Sequence, residues 1–102
     1  MKETDFQGRV IDLARIYGWL VAHFRPARTE HGWVTPVSAD GAGFPDLIFF
    51  KGQKMVVAEL KIKPNKLSSR QSAWLIAFAA VTKDVFVWYP EDWDEIEKVL
   101  TK

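Results

Sequence analysis

Two apolar, β-favouring runs, Asp46–Phe50 and Met55–Ile62, are separated only by Lys51-Gly52-Gln53-Lys54, and this pair narrows the fold more than any other feature. Gly at the first central position suits a two-residue type II′ turn, so the runs should form a hairpin. With Gly52-Gln53 as the turn, Lys51 faces Lys54, and the same register carries on to Asp46 facing Glu59. Ile48, Phe50, Met55 and Val57 then share one face, and Leu47, Phe49, Val56 and Leu60 share the other. A hairpin that is apolar on both faces must be covered on both.

The rest of the chain supplies the covers. Thr4-Asp5-Phe6-Gln7 reads as a capping box, and Phe6, Val10, Leu13 and Tyr17 recur at helical spacing until Gly18, which predicts a first helix over about 5–17. Residues 19–25 alternate, with Leu20, Ala22 and Phe24 opposite Trp19, Val21, His23 and Arg25, as a strand does. Residues 26–45 mix Pro and Gly with polar side chains and read as one long loop, of the kind that tends to border a functional site. A second capping box, Ser68 with Gln71, opens a helix running to about Val81, with Trp74, Leu75, Phe78 and Ala79 inward. Asp84–Tyr89 is a further strand, joined by a right-handed crossover, and Glu91–Leu100 a closing helix with Trp93, Ile96, Val99 and Leu100 at helical spacing. The expected class is α/β, a mixed sheet with helices on both faces in the order α-β-β-β-α-β-α.

Composition sets limits on this picture. The chain has 102 residues, 48% of them hydrophobic, including five Trp and seven Phe, which suits one domain over 1–102 with a modest core. It has no Cys and two His, which removes disulfides and thiolate zinc sites and fits a reducing, cytoplasmic setting. No apolar run is long enough to span a bilayer and the polar start lacks a signal-peptide core, so no membrane association is expected. A net charge of +1 hides a strong asymmetry. Lys51, Lys54, Lys61, Lys63, Lys66 and Arg70 outnumber a single acid, Glu59, in the middle of the chain, whereas Glu91–Glu97 holds five acids and no base. The middle segment is the one suited to a polyanion.

The chemistry follows from the hairpin register. Directly opposed residues point to one face with Cβ atoms roughly 4.5–5.5 Å apart, and Lys61, two residues beyond Glu59, shares that face. Two carboxylates and an ammonium therefore converge, unless the register slips by one residue. Carboxylates that close repel unless a cation or a proton lies between them. Mg²⁺, with Mn²⁺ as a substitute, prefers such oxygen ligands, and with Lys61 beside it the expected reaction is phosphodiester hydrolysis. An isolated Glu-x-Lys on a strand is ordinarily a solvated face or a salt bridge; the whole hairpin carries the argument here.

With these residues on the page, the chain resembles the PD-(D/E)XK nuclease superfamily and, within it, the VRR-NUC (virus-type replication-repair nuclease) branch. The resemblance spans nearly the whole chain. It is carried by Gly43-Phe44-Pro45-Asp46-Leu47-Ile48, Ala58-Glu59-Leu60-Lys61, Leu67-Ser68 through Gln71 and Trp74, and Val85–Trp88 followed by Pro90, Asp92 and Trp93. It implies a restriction-endonuclease-like sheet, metal binding by Asp46, Glu59 and the backbone carbonyl of Leu60, and assistance to the attacking water by Lys61. It also implies an acid on the first helix, which Glu3 followed by Gln7 resembles, although the Thr4 capping box leaves Glu3 just outside that helix. Gln71 is open to two readings, as the capping partner of Ser68 and as a polar group aimed into the site.

Lys63, Lys66 and Arg70, and with them Arg25 and Arg28, are the expected phosphate contacts; His23 and His31 share that neighbourhood, and Trp33 is a candidate for base stacking. Stand-alone members similar to this chain resemble phage junction resolvases, which implies a homodimer acting on branched DNA such as a Holliday junction or flap. The alternatives are a non-catalytic nucleic-acid-binding module, a restriction or nicking enzyme, and an α/β interaction protein whose acids form salt bridges.

Overall fold

Phe6, Val10 and Ala14 recur one turn apart and are all fully buried, which is the inward stripe of a helix over Glu3–Ile16, α1. The computed structural model describes residues 1–24, 27–29, 32–34 and 38–102. Lys2, with no side-chain cap, precedes the helix, so the expected Thr4–Gln7 box does not form and Glu3 lies inside α1. Tyr17, expected inward, is exposed, and Ala14 takes the buried position. Gly18 ends the helix at φ +86°, as the left-handed stop requires.

Strand β1 (Leu20–His23) follows, and then a part of the expected loop proves to be ordered. Ala27–Thr29 (β2) and Gly32–Val34 (β3) pair antiparallel as a separate two-stranded sheet. Thr29, Trp33 and Val34 are strand-favouring types, and the neighbouring Pro and Gly masked that signal. Trp33 thus belongs to a strand.

The hairpin forms in the expected register: β4 (Leu47–Lys51) and β5 (Lys54–Leu60) pair Lys51 with Lys54 and Leu47 with Ala58. Gly52 alone in the turn has positive φ, +60°, as type II′ demands. Then come α2 (Ser69–Ala79), β6 (Val85–Trp88), a 3₁₀ turn over Pro90–Asp92 and α3 (Trp93–Leu100). The closing helix therefore begins two residues later than expected, after a tight turn in which Tyr89 N donates to Asp92 Oδ2 at 2.9 Å.

The main sheet has the order β1-β4-β5-β6, antiparallel except for the β5–β6 pair, which α2 connects. Its two faces are covered as the hairpin demanded. Leu47, Phe49, Val56, Ala58 and Leu60 pack with residues of α1 and α3. Ile48 and Val57 pack with Leu75 of α2, joined by Phe44, Met55 and Phe78. Ala79, expected inward, is exposed; the inward stripe of α2 is Leu75 and Phe78, and Ala79 falls outside it. Among the described residues, no helix is long and apolar enough to cross a membrane.

Candidate active site at the open end of the hairpin

Strand alternation turns Glu59 towards the α2 face, where Gln71 meets it. Its side chain is 1% exposed, the sole buried charged group among the described residues. Ser68 caps α2 by accepting from Gln71 N (3.1 Å), and Gln71 Oε1 accepts from Ser68 N (2.9 Å). The other end of that amide, Nε2, donates to Glu59 Oε1 at 3.3 Å. Both readings of Gln71 therefore hold at once: its oxygen caps the helix and its nitrogen orients the carboxylate. Glu59 Oε2 is buried with no hydrogen-bond partner.

Asp46 directly precedes β4. Its backbone carbonyl accepts from Phe24 N (3.1 Å) on the β1 side, and its Oδ2 accepts from Leu60 N (3.1 Å) on the β5 side. In a strand the N–H and C=O of one residue point to the same edge, so the Leu60 carbonyl also faces the β4 side. Continuing the register puts Pro45 opposite Leu60, and proline has no N–H to give. The dipeptide Pro45-Asp46 thus replaces the next ladder bond with a carboxylate and leaves the Leu60 carbonyl without a ladder donor.

Burial raises the pKa of Glu59 first; Asp46 raises it further, as a nearby acceptor and as a negative charge, while Lys61 lowers it, and the balance pushes it up to about 9. Glu3 also feels Asp46 and Lys61, and its pKa is raised by burial and by Asp46 against the opposing pull of Lys61. The start of α1 therefore lies within electrostatic reach of the hairpin's open end. Asp46, Glu59 and Gln71 meet at the hairpin's open end, with Lys61 and Glu3 within electrostatic reach. Among the described residues, no three His, Cys, Asp or Glu side chains gather closely enough to hold a metal ion by themselves. A cation here would be held by Asp46, the free Glu59 Oε2, the undonated Leu60 carbonyl and water, a hard oxygen set of the kind Mg²⁺ takes. Glu3 fits an outer position rather than a third close ligand.

The expected basic contacts divide. Lys63 pairs with Glu91 (3.6 Å), both side chains well exposed, and lies 5.9 Å from the Tyr89 ring. Lys66 and Arg70 are exposed, with no carboxylate partner among the described residues. Arg25 and His31 lie outside the described residues, as do the side chains of Arg28 and Trp33. His23 shares the β1 side of Val21, which packs on the α1 face, and does not join the basic group.

Gly43 was noted in the sequence only as part of a motif, yet the structure gives it a distinct role. At φ +85°, a Cβ there would meet Arg70 C at 2.7 Å and Gln71 N at 2.8 Å. The loop leading to Asp46 is therefore in backbone contact with the helix end carrying Gln71. Phe44 secures the same contact with edge-on rings to Phe24 (5.2 Å), Trp74 (5.0 Å) and Phe78 (5.7 Å). No protein-family model matches the sequence, and neither a curated protein nor a solved structure matches it.

Proposed function

We propose that this chain is a Mg²⁺-dependent endodeoxyribonuclease of the PD-(D/E)XK type, in its VRR-NUC branch, hydrolysing phosphodiesters in branched DNA. The observation that carries this reading is Glu59: a fully buried carboxylate, oriented through one oxygen by Gln71, with its other oxygen unpartnered beside Asp46. A buried acid with an orphan oxygen costs stability, which a bound cation offsets.

Asp46, Glu59 and the Leu60 carbonyl hold the divalent ion in this reading, with Mn²⁺ as a substitute for Mg²⁺. When bound, the ion polarises the scissile phosphate and acidifies water. Lys61 hydrogen-bonds the attacking water or steadies the negative charge that builds on the phosphate. Gln71 keeps Glu59 in one orientation, and Glu3 adds negative charge that favours cation binding. Lys66 and Arg70, unpaired among the described residues, hold flanking phosphates. A homodimer sets two such centres on two strands, as a Holliday junction or flap requires. The setting we propose is the cytoplasm.

The test is to incubate the purified protein with labelled four-way junctions, flaps and duplex in Mg²⁺. Cleavage of branched substrates is expected, falling about 10²-fold or more in Asp46→Ala and in Lys61→Ala. Undiminished cleavage in either variant overturns the assignment. Salt-sensitive binding with no cleavage and no metal dependence makes the chain a nucleic-acid-binding module.

A further inference from the structure

Between the turn over residues 38–44 and the exposed flank of α2 lies an open groove of about 540 Å³. We propose that it receives one unpaired nucleotide of a single-stranded arm, with the phosphate on Arg70 and the base against Trp74. The proposal rests on the nuclease reading only for the direction in which the strand continues.

Four alanines, Ala39, Ala42, Ala73 and Ala77, line the groove beside Asp40, Arg70 and Trp74, so more than half of its lining residues carry nothing larger than a methyl. The space suits a flat ring, and its volume lies in the roughly 300–1,000 Å³ range of small-ligand sites. Trp74 is the aromatic wall, and it is held in place. Its indole N–H donates to Asp40 O at 3.0 Å, and Phe44 meets it edge-on at 5.0 Å. The Gly43 contact with Arg70 and Gln71 fixes the loop against the helix, so the groove exists before any ligand arrives.

Charge gives the occupant its polarity. Arg70 supplies a cation with no carboxylate partner among the described residues. Asp40 also lines the groove, and its carboxylate repels a second phosphate but accepts from the ring N–H of an unpaired thymine or from the exocyclic amine of another base. One phosphate at one end and one base along the wall satisfy both residues. A stacked, paired base has no free face for Trp74, so the occupant is unpaired. Arg70 directly precedes Gln71, which donates to Glu59, so the neighbouring phosphodiester leads towards the hairpin acids.

The experiment is binding of fluorescein-labelled (dT)15 and of a 15-base-pair duplex to the full chain in EDTA, followed by anisotropy. Ala73→Leu/Ala77→Leu fills the groove with good helix formers. It is expected to weaken (dT)15 about tenfold or more and to leave the duplex nearly unchanged. A (dT)15 probe carrying one 5-bromodeoxyuridine should cross-link the unmodified protein at Trp74, a readout that does not depend on the filled variant folding. Equal (dT)15 affinity in the filled variant, or cross-links only elsewhere, overturns the proposal. So does a filled variant that changes oligomeric mass while binding (dT)15 as before, which makes the groove a protein-docking face. Because EDTA removes cleavage from the measurement, the nuclease reading can fail while this binding survives, and the reverse.

Discussion

The two faces of the sheet differ in what they bury. The face packed by α1 and α3 carries Phe6, Val10, Leu47, Phe49, Leu60, Trp88, Ile96 and Leu100, all sealed from solvent. The face under α2 buries only Ile48, Val57 and Leu75 outright, and leaves Phe50 46% and Leu20 74% exposed. It also carries Glu59, Asp46 and Gln71. One face is built of hydrocarbon and holds the chain together. The other gives up apolar burial for a buried carboxylate that has one hydrogen-bond donor, Gln71, and one unpartnered oxygen, a trade that lowers stability wherever no ligand offsets it.

Neighbouring residues of β4 test that division most severely, because Phe49 and Phe50 point to opposite faces. Phe49→Ala is expected to cost about 3–5 kcal/mol in urea unfolding, and Phe50→Ala about 1 kcal/mol or less. Equal costs would mean that the α2 face is as tightly packed as the other. Gly43→Ala probes the join between the loop and α2, and ranks next. A methyl that must enter backbone at 2.7–2.8 Å, at a φ of +85°, is expected to cost about 2 kcal/mol or more. The same substitution should pull Gln71 from Glu59 and so reduce cleavage at temperatures where the fold survives; unaltered stability and activity would show that the loop yields freely.

The firmest expectations from sequence were those carried by local pattern. Gly52 fixed the turn, alternation fixed the register from Lys51–Lys54 to the open end, and the convergence of Asp46 with Glu59 followed before any coordinates. Ser68 and Gln71 announced α2 in the same way. What was not legible depended on partners distant in sequence. Helix α1 starts at Glu3 without any side-chain cap, so no cap residue marked it, and the nearness of Glu3 to Asp46 and Lys61 exists only once α1 packs beneath the sheet. β2 and β3 are three residues each, too short for periodicity to outweigh the Pro and Gly around them. Pro45 closes the long loop in the sequence, and its effect on the Leu60 carbonyl emerges only where the register places the two opposite each other. Gly43 stands in the sequence only as part of a motif, and the space that its missing side chain leaves to α2 exists only in the fold.

The smallest expected effect, that of Glu59→Gln at acid pH, is the most telling about the α2 face. Glu59 holds its proton up to about pH 9 when folded, against 4.5 in the unfolded chain, so the folded state binds that proton more tightly. The stability tied to it is fully present below pH 4.5 and is lost as pH rises through 9. Glu59→Gln keeps the shape of the protonated acid and removes the titration. At about pH 4.5, without metal, the variant and the parent should melt within a few degrees of each other. Their curves should separate as pH climbs from 4.5 to 9, the parent falling relative to the variant, with no further divergence above that. Added Mg²⁺ should reverse the order at pH 8, raising the melting temperature of the parent alone, since only the parent can offer a carboxylate to the cation. Parallel pH curves for the two proteins would show that Glu59 carries its charge throughout this range, and the α2 face would then tolerate a buried anion with no ligand to offset it.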